Sequence, residues 1–107
     1  MNGITREGRA DMDEKAAARW HVFFSGRVQH VGFRYTALYL ARELYLTGWV
    51  RNCADGRVEM EVQGPVSRIR KLLLRLKGQT PIRIERMEVE NLPVRAFDRK
   101  FEVLETV

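Results

Sequence analysis

A single cysteine, Cys53, stands in 107 residues, so no internal disulfide can form. The two histidines, His21 and His30, share no paired-ligand spacing with it; no zinc site is expected, and no other cofactor is implied. Nothing near Cys53 suggests a base to activate it, and it reads as a small turn or strand residue. No apolar run approaches the ~20 residues of a membrane-spanning helix. The N-terminus also lacks the apolar stretch of about 7–15 residues that marks a secretory signal. A soluble, cytoplasmic protein with no membrane partner is the expectation. Acidic residues are fewer than basic ones, 14 against 19, which leaves a formal net charge of +5. Such a charge attracts anions without choosing among phosphorylated metabolites, nucleic acid and acidic proteins.

What is present fits one domain. The chain is 45% hydrophobic and 31% charged, ordinary for a soluble protein. Residues 1–18 are polar and aperiodic and read as a disordered tail, with Met12 as an alternative translation start and the domain running over 19–107.

From there the periodicity alternates. Trp20 to Phe24 is aromatic and β-prone, and Ser25-Gly26 follows it. Phe33, Ala37, Leu40, Ala41 and Leu44 then share one face of a helix, which Gly48 is expected to close. Trp49 to Asn52 gives a short strand and Asp55-Gly56 a hairpin turn; Val58, Met60 and Val62 alternate with polar residues. Pro65 suits the first turn of a second helix, in which Val66, Ile69, Leu72, Leu73 and Leu76 form the apolar face. The cations on its other side, Arg68, Arg70, Lys71, Arg75 and Lys77, read as a solvated face. Gly78 and Pro81 end it. A strand with a parity change between Ile84 and Met87 predicts a bulge, and Phe101 and Val103 predict a short last strand. The order is β-α-β-β-α-β plus one strand. It predicts an α+β, ferredoxin-like split βαβ fold, an antiparallel sheet with two helices on one face.

The segment Gly26-Arg27-Val28-Gln29-His30-Val31-Gly32-Phe33-Arg34 joins the first strand to the first helix. Amides at a helix start lack partners within the helix, and the helix dipole adds partial positive charge there. A loop curling its amides inward makes an anion cradle, and Gly26 and Gly32 permit the curl. Arg34 stands in the first helical turn, where a cation is disfavoured unless an anion binds beside it. Its guanidinium can offer two parallel donors to phosphate oxygens; on spacing alone it reads equally as a surface arginine over apolar neighbours. No Lys-Ser/Thr pair follows Gly32, so this is not a Walker-type loop that places a hydroxyl for Mg²⁺.

Gly26 to Arg34 resembles the acylphosphatase signature Gly-Arg-Val-Gln-Gly-Val-x-Phe-Arg. Gly48-Trp49-Val50-Arg51-Asn52 with Asp55-Gly56-Arg57-Val58 resembles that family's second motif, and Gln63-Gly64-Pro65 also matches. The resemblance covers about residues 20–103. It implies metal-free hydrolysis of a small acyl phosphate to carboxylate and inorganic phosphate, by a monomer. Arg34 would correspond to the phosphate-binding arginine and Asn52 to the asparagine that orients the attacking water. The amides of Gln29, His30, Val31, Gly32 and Phe33 would correspond to the phosphate cradle. An amide cannot act as a base at neutral pH, but it can both accept from and donate to water.

One departure stands in the loop: His30 occupies a place where the family usually has glycine, so a side chain is expected at a backbone position with φ > 0. Two other functions share this element order. An RNA-binding module would need aromatic residues on its central strands, and no nucleic acid partner is expected, because the strand from Arg57 to Gln63 has no aromatic residue and carries Glu59 and Glu61, which would repel a phosphate backbone. A ligand-binding domain that has lost catalysis is the other, with His30 as the feature pointing to it.

Overall fold

The computed structural model describes residues 14–107; the expected tail up to residue 13, Met12 included, lies outside the described residues. The elements are β1 (Ala17–Arg27), α1 (Phe33–Glu43), β2 (Thr47–Asn52), β3 (Val58–Pro65), α2 (Val66–Lys77), β4 (Arg83–Leu92) and β5 (Phe101–Val103). The sheet order is β4-β1-β3-β2-β5, and its first four strands are the expected ferredoxin-like split βαβ. β1 begins earlier than its aromatic residues indicated, because Ala17 and Ala18 already pair with Pro65 and Gly64.

Alternation decides which face is covered. Val22 and Phe24 on β1, Val50 on β2 and Met60 on β3 are fully buried under the helices, as are Ala37 and Ala41 of α1 and Ile69, Leu72 and Leu76 of α2. Burying a side chain of this size contributes about 1.5–3 kcal/mol, so this layer holds the fold together. The predicted bulge lies on β4: Ser25 pairs with Arg86 and Gly26 with Ile84, which leaves Glu85 as the extra residue. Val89 on β4 is 48% exposed, as a residue on an edge strand can be.

Three local expectations are corrected. Gly48 does not close α1. Tyr45 does, at φ 54, and the Leu46 N–H donates to the Ala41 carbonyl at 2.8 Å, the long bond of a left-handed helix end. Pro65 is the last residue of β3 and precedes the helix as its cap, with ψ 136. Finally, the sheet is not wholly antiparallel, since β5 adds to β2 in parallel.

Gly48 instead lies within β2 at φ 134, where a Cβ would overlap the Glu61 carbonyl of β3. Gly48→Ala is therefore expected to destabilise by at least the ~1–3 kcal/mol of an overpacked core. Urea denaturation measures it, and wild-type stability would contradict this close approach of β2 to β3.

The connection before β5 is held by a polar group that hydrophobic periodicity does not reveal. Arg19 is 1% exposed and donates to Glu61 at 2.7 Å and to Asp98 at 2.6 Å. Burial alone would lower its pKa, but the hydrogen bonds from its guanidinium to Asp98 and Glu61 outweigh that and raise it. Together with the paired Arg95–Gln63 bonds, this ties the β4–β5 connection across the sheet face that the helices leave open. The chain then returns along β2: the Val107 N–H donates to the Asn52 carbonyl at 3.1 Å.

Candidate active site

Gly32 starts α1. It adopts φ 77, ψ 16, a left-handed conformation that glycine takes at no steric cost, and the first helical bond runs from the Thr36 N–H to its carbonyl at 3.0 Å. The amides of Phe33, Arg34 and Tyr35 thus precede the first intrahelical bond, no side chain caps the helix, and no acid stands in its first turn. A missing cap is not diagnostic by itself, because α2 has none either. What distinguishes α1 is the cavity at its start, about 70 Å³, lined by Val28, His30, Gly32, Phe33, Arg34, Tyr35 and Asn52.

The structure therefore brings Arg34 and Asn52 to one small hollow, from the first turn of α1 and the last residue of β2. Among the described residues Arg34 has no ion-pair partner, so its guanidinium charge is uncompensated beside the positive end of the helix. Asn52 is 7% exposed. Its main chain is held by the ladder to Val58 and by the bond from Val107, which leaves its side-chain amide at the cavity wall. His30 sits at φ 60, the positive angle expected of this position, and its exposed side chain stands at the rim.

Not every residue named from the sequence lines the hollow. Val31 packs against the hydrophobic core. The side chain of Gln29 turns the other way: its Nε2 donates to the carbonyls of Cys53 at 2.7 Å and Arg57 at 2.9 Å. Gln29 is thereby a staple between the loop and the β2–β3 turn, next to Asn52 in the chain at Cys53. That turn is itself braced, because Asp55 accepts from the Arg57 N–H at 3.1 Å and from its guanidinium at 2.9 Å. The main-chain N–H of Arg57 is the first cause that holds the Asp55 carboxyl below its ordinary pKa. Burial, followed by Glu59 and Asp55, pushes the Cys53 thiol up, away from a reactive thiolate.

The sequence reading missed two lining residues. Val28 is 1% exposed and forms an apolar wall, whereas Tyr35 is 57% exposed and stands at the mouth. The run Phe33-Arg34-Tyr35 is the only signal that could have found Tyr35, since a residue next to Arg34 in the first helical turn must lie near any anion bound there.

The open face of the sheet is differently made. Phe24, which an RNA-stacking platform would need, is fully buried. Phe23 lies beneath the Arg57 guanidinium at 3.9 Å, and Glu59 on the neighbouring strand pairs with His21 at 2.6 Å and Arg51 at 2.9 Å. Burial would raise the Glu59 pKa, but these two hydrogen bonds prevail and lower it, so the face keeps a carboxylate among its rings.

Fold and site together define a small ferredoxin-like α+β protein with a hollow between a strand–helix loop and a hairpin turn. A family model described as acylphosphatase matches residues 20–103. An acylphosphatase of Geobacillus kaustophilus is 42% identical over 87 residues, 80% of this chain and 93% of that protein. Two solved structures superpose well. An acylphosphatase from Coxiella burnetii has a TM-score of 0.76 and 34% identity, and covers 85% of this chain and 96% of its own. The crystal structure of acylphosphatase from Bacillus subtilis has a TM-score of 0.75 and 30% identity, and covers 81% and 98%. The chain belongs to the acylphosphatase family, whose members are hydrolases of acyl phosphates.

His30→Gly removes a side chain from a left-handed position and is expected to leave an active enzyme, with phosphate inhibiting as strongly or more strongly. Inhibition constants for inorganic phosphate measure this, and a dead variant would make His30 a required group.

Proposed function

We propose that the hollow at the start of α1 binds the phosphoryl group of a small acyl phosphate, and that hydrolysis proceeds there without metal. The observation supporting this is the convergence of uncapped helix amides, an uncompensated Arg34 and the nearly buried Asn52 amide on one cavity. Loop amides from Gln29 to Phe33 and the Arg34 guanidinium donate to the non-bridging phosphoryl oxygens, where charge is spread in the transition state. The Asn52 amide holds a water on the phosphorus. Its oxygen bonds to phosphorus as the bond to the bridging oxygen breaks, and that oxygen leaves with the acyl group as carboxylate. The proton of the water passes to an oxygen of the substrate's own phosphate, and the weakly basic carboxylate leaves without a general acid to protonate it.

The cavity is far smaller than the ~300–1,000 Å³ of sites that enclose a drug-sized ligand, which suits capture of a phosphoryl group alone. The test is hydrolysis of benzoyl phosphate by the full chain with EDTA present. Turnover undiminished by EDTA is expected. No turnover would favour a silent ligand-binding domain, and turnover that needs added metal would overturn the metal-free mechanism.

A further inference from the structure

A hollow of about 70 Å³ that takes a phosphoryl group leaves the acyl part of the substrate outside it. The surface at the mouth therefore decides which acyl groups gain contacts. Among the lining residues Val28, Phe33 and Asn52 are buried and Gly32 has no side chain. The side chains at the rim that stand out into solvent are His30 and Tyr35, both rings.

The ring surface continues along the helix. Tyr39 lies four residues after Tyr35 on α1, on the same face, and is 64% exposed. Four residues advance a helix by ~6 Å, and helical side chains lean toward the N-terminus, so Tyr39 inclines over the turn that carries Tyr35. Neither phenol forms a side-chain hydrogen bond with another described residue. Neither ring is used by the core, which takes Phe33, Ala37 and Ala41 from this helix. Two exposed tyrosines one helical turn apart, the first of them at the cavity, are thus unexplained by folding.

We infer that Tyr35, extended by Tyr39, forms an acyl-group subsite that favours aromatic or extended apolar acyl phosphates over acetyl phosphate. The inference rests on the reading of the hollow as the phosphoryl site. An aroyl group is flat and apolar; held by its phosphate in the hollow, it comes out beside the Tyr35 ring, where it can stack offset or edge-on. An acetyl group is too short to cover the ring. Tyr35 and Tyr39 act on binding and orientation of the acyl group, and the reacting atoms stay with Arg34 and Asn52.

The test compares kcat/KM for benzoyl phosphate and acetyl phosphate in wild type, Tyr35→Ala, Tyr39→Ala and Tyr35→Phe, with inorganic phosphate as inhibitor. In Tyr35→Ala the benzoyl-to-acetyl ratio is expected to fall roughly three- to tenfold, the size of one ring–ring contact. Tyr39→Ala should lower it by a smaller factor, Tyr35→Phe should keep it, and phosphate inhibition should move little. A ratio maintained in Tyr35→Ala overturns the subsite, and so does an equal loss on both substrates, which would mean general damage to the site. A wild-type protein that hydrolyses neither substrate overturns the hydrolase reading, and the subsite with it.

Discussion

Arg34→Ala is expected to lower kcat/KM for an acyl phosphate by about 10³-fold or more, the scale on which a guanidinium serves phosphoryl transfer. It should also abolish competitive inhibition by inorganic phosphate. Two lines of physical reasoning converge here. Arg34 has no ion-pair partner among the described residues, so nothing but a ligand neutralises it. It also sits in the first turn of α1, where the helix dipole disfavours a cation. Removing it should therefore leave stability unchanged or raise it by about 0.3–1 kcal/mol. Loss of activity without loss of stability is the distinguishing result. An arginine serving only to cover apolar surface would give the reverse, destabilisation with phosphate inhibition intact. Arg34→Lys should fall between, because an ammonium keeps the charge and loses the two-pronged geometry.

Asn52→Ala is the second large effect, a fall in kcat of about 10²–10³-fold with phosphate inhibition nearly retained. The magnitude follows from what the amide does: it holds the nucleophile, whereas the phosphoryl group is held by other donors. The Asn52 side chain forms no hydrogen bond with the described residues, and its strand is fixed through the main chain, by Val58 and Val107. The fold should therefore survive the truncation. Steady-state kinetics with acyl phosphate, paired with inhibition by phosphate, separates the two substitutions. A normal kcat in Asn52→Ala would exclude the water-positioning role.

The order of elements was legible from periodicity alone, because α1, β3 and α2 each present one buried face at the spacing their geometry requires. The bulge was legible too, since an inserted residue reverses strand parity, and Glu85 is that residue. Other features have no local signal. Tyr45 ends α1 in a left-handed conformation more usual for glycine, and Gly48 nearby drew the boundary away from it. The connection leading to β5 is tied at a distance, where Arg19 reaches Asp98, and a charged residue in a strand gives no warning that it is buried.

The site divides in the same way. The loop glycines and Arg34 suggested an anion cradle from one segment, but Asn52 joined it only through a second motif recognised at the right separation. Contacts between loop and hairpin are non-local, and the Gln29 staple is one of them. The family resemblance named Gln29 and Val31 for their main-chain amides, and it carries no information on where their side chains go. The curl that points the main chain of such a loop at a ligand turns neighbouring side chains away, one to the hairpin and one to the core.

The most direct measurement is titration of the isotopically labelled protein with inorganic phosphate, following its amide resonances. A pocket formed by main-chain N–H groups, one guanidinium and one side-chain amide predicts saturable shifts centred on residues 29–35 and on the side-chain NH₂ of Asn52. Those shifts should vanish in Arg34→Ala. Shifts confined to other basic surfaces, such as the outer face of α2, or a response unchanged in Arg34→Ala, would contradict the account.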